Sequence, residues 1–439
     1  MKNLIMGVAT GYSWHKLEPF INSFNRHAQN TDLILFVDNI SNFTRDALIK
    51  NNVELLPISD EFKSSLIVNA RWAIYKKFLD ERGKNYRQVF VTDIRDVIFQ
   101  GNIFATYENF SNYLGYAVEE GAIRPVDKEP VDWIWIKNFF GEEEANKLAN
   151  KPAICCGTVI ADVESMKKFS VEMYKILAKS SAWGDEQATM NYLVYEKLLP
   201  IDELIKIDTQ TGDILTLALT DNPATKENFI LRGDGGIPAV VHQYDRHKNL
   251  AELVNKIYRD KNFQFDEKFT DTYSLLDQIL KLATLGKIDD AYKIFTRYLF
   301  GGNFEGQINN LINLWELTLQ NITPAAELLM LSIQAAIISV KGNVFNLGQV
   351  NKINSYTNLC MKNNIAVNFP FKLFLENLLL SLANQFYAAK QLENALFFLN
   401  SAENLGTPKD SNFYLFQSKV YRESDKKAEA LAAYEKALG

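Results

Sequence analysis

Two aspartates, Asp93 and Asp96, stand just after the apolar run Val89, Phe90, Val91 in the stretch QVFVTDIRDVIFQG. Valine and phenylalanine favour extended backbone, so the run reads as a short buried strand whose end delivers two carboxylates. In open α/β sheets ligands bind where loops leave the carboxyl ends of the strands. Carboxylates in such a place suit a divalent cation carrying a diphosphate. Taken alone, D-x-x-D reads equally well as a solvated acidic turn in which Arg95 pairs with one acid. Its companions elsewhere in the chain have to decide.

The elements around that stretch alternate. Leu4 to Val8 reads as a strand ending in the turn Thr10-Gly11-Tyr12, Leu17 to His27 as a helix, and Leu33 to Val37 and Val53 to Pro57 as two further strands. Ala70 to Leu79 is a helix that leads into the Asp93 strand and carries Arg71. Strands and helices alternating at this spacing predict an α/β domain, a mostly parallel sheet with helices on both faces. Gly7-Val8-Ala9-Thr10-Gly11 does not have the spacing GxGxxG, and no GxxxxGKS occurs, which disfavours dinucleotide and P-loop sites.

Polar groups gather at three later places. PAICCGTVIADVES predicts a strand over Thr158 to Ala161 entered through Gly157, a glycine that implies close backbone approach or a positive φ in a loop. WGDEQATMNYL predicts a helix capped by Asp185, with Glu186 as a first-turn acid and Gln187 and Asn191 following. Ala239 to Val241 reads as the last strand and runs into His242-Gln243-Tyr244-Asp245-Arg246-His247. A histidine there serves as a surface group, a partner of a nearby acid or a metal ligand. Before these, Trp133, Trp135, Phe139 and Phe140 supply aromatic surface for a core or for a sugar ring.

Composition narrows the classes. A chain of 439 residues is longer than one growing core sustains, and 47% hydrophobic with 23% charged residues is an ordinary globular balance. The net charge of -6 offers no basic surplus for nucleic acid. The N-terminal apolar run is too short for a signal peptide or anchor, so no transmembrane segment is expected, and a peripheral membrane contact stays open. Three cysteines, two of them adjacent (Cys155 and Cys156), make no disulfide framework, and a reducing cytoplasmic setting follows. Four histidines without CxxC or HExxH spacing leave little for a zinc site.

Near Asp260 to Thr272 the residue types change, and Leu, Ala, Asn and Lys then recur at helical spacing. This divides the chain into a domain of residues 1–262 and an all-α domain of 263–439. TYSLLDQILKLATLGKIDDAYKIFTRYL reads as a helical hairpin, and the form recurs twice near the end, where Ala395, Leu399 and Ala402 answer Ala430, Tyr434 and Ala437. Ala291, Phe295 and Tyr298 hold the same places in the first hairpin, and Thr323 to Asn364 has room for two degenerate copies. The offset, about 35 residues, is close to the tetratricopeptide period of about 34 and predicts a small stack of helices with a concave face.

Together these stretches resemble a glycosyltransferase of the GT-A fold over residues from about 1 to 250, followed by tetratricopeptide-like helical repeats. FVTDIRDVIFQGNIF resembles the metal-binding D-x-D segment, with Asp96 at the second Asp and Asp93 one place before the first. CCGTVIAD stands where many members have Asn-Ala-Gly, with Cys156 in place of the polar residue; DEQATMN resembles the acid-Gln-x-x-x-Asn segment of retaining enzymes, and VVHQYD the late metal-binding histidine.

The resemblance implies a manganese or magnesium ion held by Asp93, Asp96 and His242, with Asp93 alternatively on the ribose. It implies a nucleotide diphosphate sugar, UDP-linked by preference, against Thr10, Gly11, Tyr12, Arg71, Gly157 and Asn191. Glu186, Asp185 or Gln187 would act at the sugar, the Gln187 match leaning towards retention. The acceptor would be a bacterial polysaccharide or glycoconjugate, the place the cytoplasm or the inner face of its membrane, and the repeats would hold the acceptor or a partner protein. The alternatives are a sugar nucleotidyltransferase, for which the Gly-rich basic loop after the first strand is missing, and an inactive domain on a helical scaffold.

Overall fold

The computed structural model describes residues 1–294, 297, 369–404 and 409–438, apart from residues 64, 127, 128, 181, 222 and 270. The chain divides into two compact units, Met1–Lys261 and Asn262–Gly439. The first opens with β1 (Lys2–Thr10), α1 (Trp14–His27), β2 (Thr31–Asp38), α2 (Asn42–Lys50), β3 (Glu54–Pro57), α3 (Asp60–Lys63), α4 (Ile67–Arg82), β4 (Tyr86–Thr92) and β5 (Val97–Phe99). It continues through β6 (Tyr113–Ala122), α5 (Val131–Phe140), α6 (Glu142–Leu148), β7 (Pro152–Asp162), α7 (Val163–Leu177) and α8 (Asp185–Tyr195). It closes with β8 (Glu203–Ile207), β9 (Ile214–Thr216), β10 (Thr225–Lys226), β11 (Phe229–Ile230), β12 (Val240–His242) and α9 (Lys248–Tyr258).

Seven strands form the main sheet in the order β3-β2-β1-β4-β7-β6-β8. All neighbours are parallel except where β7 runs antiparallel between β4 and β6. The expected mostly parallel sheet is therefore present, and its faces follow from the period of two along each strand. Val89 and Val91 of β4 point into a core with Trp72, Tyr75 and Phe78 of α4 and Met166 and Phe169 of α7, where Trp72 and Phe169 meet edge to face at 4.9 Å. Phe90 turns the other way, towards Phe99 at 6.3 Å, which in turn meets Phe20 of α1 at 5.3 Å. Each such fully buried side chain contributes about 1.5–3 kcal/mol.

A second sheet of three strands, in the order β5-β12-β9, forms beside the first. Its own core joins Ile98, Leu215 and Val241 to Leu250, Val254 and Tyr258 of α9. Between Thr92 and Val97 the chain leaves the large sheet and enters the small one, so Asp93 and Asp96 lie on the crossing. Gly7 of β1 lies beneath that crossing, where a Cβ would stand 2.4 Å from Ile94 Cγ2. That close approach accounts for the glycine in a buried strand.

The structure corrects two sequence expectations. Gly157 does not open a strand from a loop; it lies inside β7, which begins at Pro152, and its φ is not in the left-handed region. The residue capping α8 is Gly184, and Asp185 is the first residue of the helix.

In the second unit α10 (Thr272–Thr284) and α11 (Ile288–Ile294) are followed by α12 (Phe369–Ala388), α13 (Leu392–Glu403), α14 (Ser411–Glu423) and α15 (Lys427–Leu438). Phe386 stacks on Phe398 at 5.5 Å between α12 and α13, and Tyr387 meets Phe416 of α14 at 5.5 Å. Ala395, Leu399, Ala402 and Ala430 are buried, while Tyr434 is 46% exposed. The repeats expected around Thr323 to Asn364, with Phe295 and Tyr298, lie outside the described residues.

Because the first unit holds complete cores of its own, a fragment ending at Lys261 is expected to stay soluble and melt in one cooperative transition. A fragment that aggregates, or that circular dichroism shows to melt without a transition, would mean that the first core needs the second.

Candidate metal centre

Strand pairing explains how residues distant in sequence meet. β12 pairs antiparallel with β5 in the register Val240↔Phe99, Val241↔Ile98 and His242↔Val97. His242 therefore lands beside the residue that follows Asp96, and the Gln243 amide donates to the Asp96 carbonyl at 2.7 Å. On the other side the Asp93 amide donates to the Gly157 carbonyl of β7 at 2.7 Å. Asp93, Asp96 and His242 each bring a ligand atom into a group within 4.8 Å of one another.

The geometry is divided in the same way on both aspartates. Asp93 gives Oδ1 to the Arg71 guanidinium at 2.6 Å and turns Oδ2 towards His242 Nε2 at 3.5 Å. Asp96 gives Oδ2 to Arg95 at 2.9 Å and turns Oδ1 towards the same Nε2 at 3.8 Å. Ligand atoms on adjacent sites of a cation with bonds of about 2.1 Å stand about 3 Å apart, and on opposite sites about 4.2 Å. The separations of 3.5 and 3.8 Å lie between these two values, and two carboxylate oxygens with one imidazole form a donor set for a divalent cation. A second observation agrees: a Cβ at Gly157 would lie 2.4 Å from His242 Cε1 and 2.6 Å from Asp93 Oδ2, so the glycine keeps open the space over which the ligands face.

His242 is 1% exposed, and its other nitrogen, Nδ1, lies 3.5 Å from the Cys155 sulfur. For Nε2 to offer a lone pair, Nδ1 carries the proton and donates it to Cys155. Burial alone would lower the pKa of His242, but Cys155 and Asp93 beside it raise it well above the usual value. Burial would raise that of Asp93, and Arg71 with His242 overcomes this and holds it below the usual carboxylate range.

Arg71 is neither on the helix surface nor turned to solvent; it is 6% exposed. Besides Asp93 it donates from Nε to Glu186 Oε1 at 2.5 Å and from Nη2 to the Cys156 carbonyl at 3.1 Å. Glu186 also accepts from Trp72 Nε1 at 2.6 Å and, on Oε2, from the Cys156 thiol at 3.4 Å. Burial pushes the Glu186 carboxyl up to about 7, against the pull of Arg71, and pushes the Cys156 thiol up so that it remains a donor. Both Glu186 oxygens are thus occupied by the protein's own donors.

The remaining expected residues separate. Asp185 is buried and bonds the Ser180 hydroxyl, which accepts from Asn69. Asn191 is buried, and its amide accepts from the Ile154 N–H and donates to the Ile154 and Gln187 carbonyls, which ties α8 to β7. Gln187 donates to Asp132 Oδ1 at 2.7 Å. Thr10 ends β1, and Gly11, at φ +65°, donates to the Asp38 carbonyl and turns the chain so that Tyr12 comes under the influence of Asp93, Asp96, Arg95 and Arg71. Burial pushes the Tyr12 phenol up to about 12.

Sequence reasoning missed Glu119 of β6 and Asp132 of α5, both buried next to Gln187. The signal for Asp132 was an acid inside the otherwise apolar VDWIWI; Glu119 had none beyond its place at the end of a strand run.

Gly157→Ala is expected to displace His242, weakening binding of Mn2+ at least about tenfold and costing about 1–3 kcal/mol of stability, both readable by titration and thermal melting. For the acid pair, burial raises Glu119 from 4.5 to about 7 and Asp132 from 3.8 to about 6. The folded chain then holds protons that the unfolded chain has released, so stability falls as the pH climbs from about 4.5 to about 7. Glu119→Gln should stabilise the chain by about 2–3 kcal/mol at about pH 8 and leave it unchanged at about pH 4, without added cation. An equal shift at both would show that ionisation is not the cause.

No protein-family model and no curated protein matches the chain. Among solved structures it is similar to the glycosyltransferase GlyE of Streptococcus pneumoniae TIGR4, at 16% identity over 47% of this chain and 45% of that one, with a TM-score of 0.29. The apo form of GlyE matches at 14% identity over 67% of this chain and 64% of that one, TM-score 0.34. A glycosyltransferase involved in the glycosylation of the major capsid of PBCV-1 matches at 10% identity over 57% of this chain and 98% of that one, TM-score 0.31. The chain thus spans less than two thirds of the length of GlyE in either comparison.

Proposed function

We propose that the first unit is a divalent-cation-dependent glycosyltransferase of the GT-A type, taking a sugar from a nucleotide diphosphate sugar, UDP-linked by preference. The observation that carries this is the convergence of Asp93, Asp96 and His242 at the end of a central strand, from two segments far apart in the chain. A cation held there would stabilise the charge that builds on the departing diphosphate.

The protein's own groups have separate duties. Asp93 and Asp96 present one oxygen each and His242 presents Nε2, while Arg71 and Arg95 keep both carboxylates turned to the cluster. Tyr12, at the end of β1, packs the nucleotide base. Gln187, held by Asp132, acts at the sugar, whereas Glu186 and Asp185 are tied into the framework. The acceptor is a polysaccharide or glycoconjugate, and the helical hairpins of the second unit, tetratricopeptide-like in this reading, hold it or a partner protein.

The test is release of nucleotide diphosphate from a panel of UDP-sugars with Mn2+ present. Asp96→Ala is expected to lose at least about 100-fold in turnover with an unchanged melting curve. Full activity in that variant would remove the metal assignment, and a wild-type chain that turns over no donor would leave the scaffold reading.

A further inference from the structure

The arginines that hold the aspartates are themselves held. Arg71 lies between Asp93 and Glu186, with contacts of 2.6 Å and 2.5 Å. Arg95 lies between Asp96 and Asp245, with contacts of 2.9 Å and 3.3 Å. Arg246 joins the second arrangement, 2.9 Å from Asp245 and 3.8 Å from Asp96. Two chains of the form acid, arginine, aspartate therefore converge on His242 from opposite sides, one from α8 through α4 and the other from the turn after β12.

Electrostatics explains why the outer acids matter. A guanidinium beside an aspartate opposes a divalent cation on that aspartate's other oxygen, because like charges a few ångströms apart repel strongly where water is scarce. An ionised carboxylate behind the arginine offsets this while leaving the arginine's orienting hydrogen bonds in place. Glu186, whose carboxyl burial pushes up to about 7, suits this role in its ionised form above that pH, because it is 5% exposed and Arg71, Trp72 and Cys156 fix both of its oxygens.

We infer that Glu186 and Asp245 are positioning residues of the cation site, acting through Arg71 and Arg95 on Asp93 and Asp96 and not as acid, base or nucleophile. This rests on the cation reading proposed above, and it differs from the role at the sugar that the resemblance implies for Glu186.

The experiment is titration of the full chain with Mn2+ alone, followed by the paramagnetic signal of the free ion, with no sugar donor. Glu186→Gln and Asp245→Asn are each expected to raise the Mn2+ dissociation constant about tenfold. In the donor assay their lost turnover should return on adding Mn2+ in excess, a rescue that a residue needed for bond-making would not show. Wild-type affinity in both variants, or turnover that no amount of Mn2+ restores, overturns the inference. If Glu186→Gln melts early, Asp245→Asn decides in the same terms from the other side. A wild-type chain that binds Mn2+ no better than Asp96→Ala is a different failure, because it removes the cation site itself.

Discussion

The pairing of three residues of β12 with three of β5 is the constraint on which the site depends. A strand register cannot be shifted by one residue without turning every side chain to the opposite face. Val241 is buried in the small core together with Ile98, so their packing fixes the pairing, and His242 comes beside Val97, next to Asp96, as a result. Ordinary burial of two aliphatic side chains thereby sets the position of an imidazole.

What surrounds that pairing is an exchange of charge in a poorly hydrated place. Buried carboxylates keep their protons to higher pH, as Glu119 and Asp132 do nearby, where burial outweighs the pull of the groups that favour ionisation. Arg71 prevents it for Asp93, and it is itself buried only because two acids and a carbonyl accept its donors. The packing of Trp72 against Phe169 carries this network on α4, linking the hydrophobic layer to the polar one.

The amino-acid pattern made much of this legible, in a particular order. The apolar runs ending in acids or in histidine located β4 and β12, because a strand's burial and its abrupt end are both local properties. The partners of Arg71 were not legible, because Glu186 and Cys156 reach it only through the tertiary structure. The bonds of Asn191 to β7 were hidden for the same reason, since an amide at helical spacing behind Gln187 does not announce that β7 will pass beside it. Asp185 was displaced from the cap by one position, because Gly184 enters α8 with left-handed backbone that an acid adopts poorly.

The late arrival of β12 also bears on how the protein is made. A ribosome delivers the chain from its N-terminus, and the large sheet is complete, with α8 behind it, well before Val240 emerges. During that interval β5 has an edge with no antiparallel neighbour, and the aspartates have no imidazole to share. The nascent chain therefore passes through a stage with most of its hydrophobic core but without His242 beside Asp93 and Asp96, a cluster that forms only when nearly all of the first unit has been synthesised.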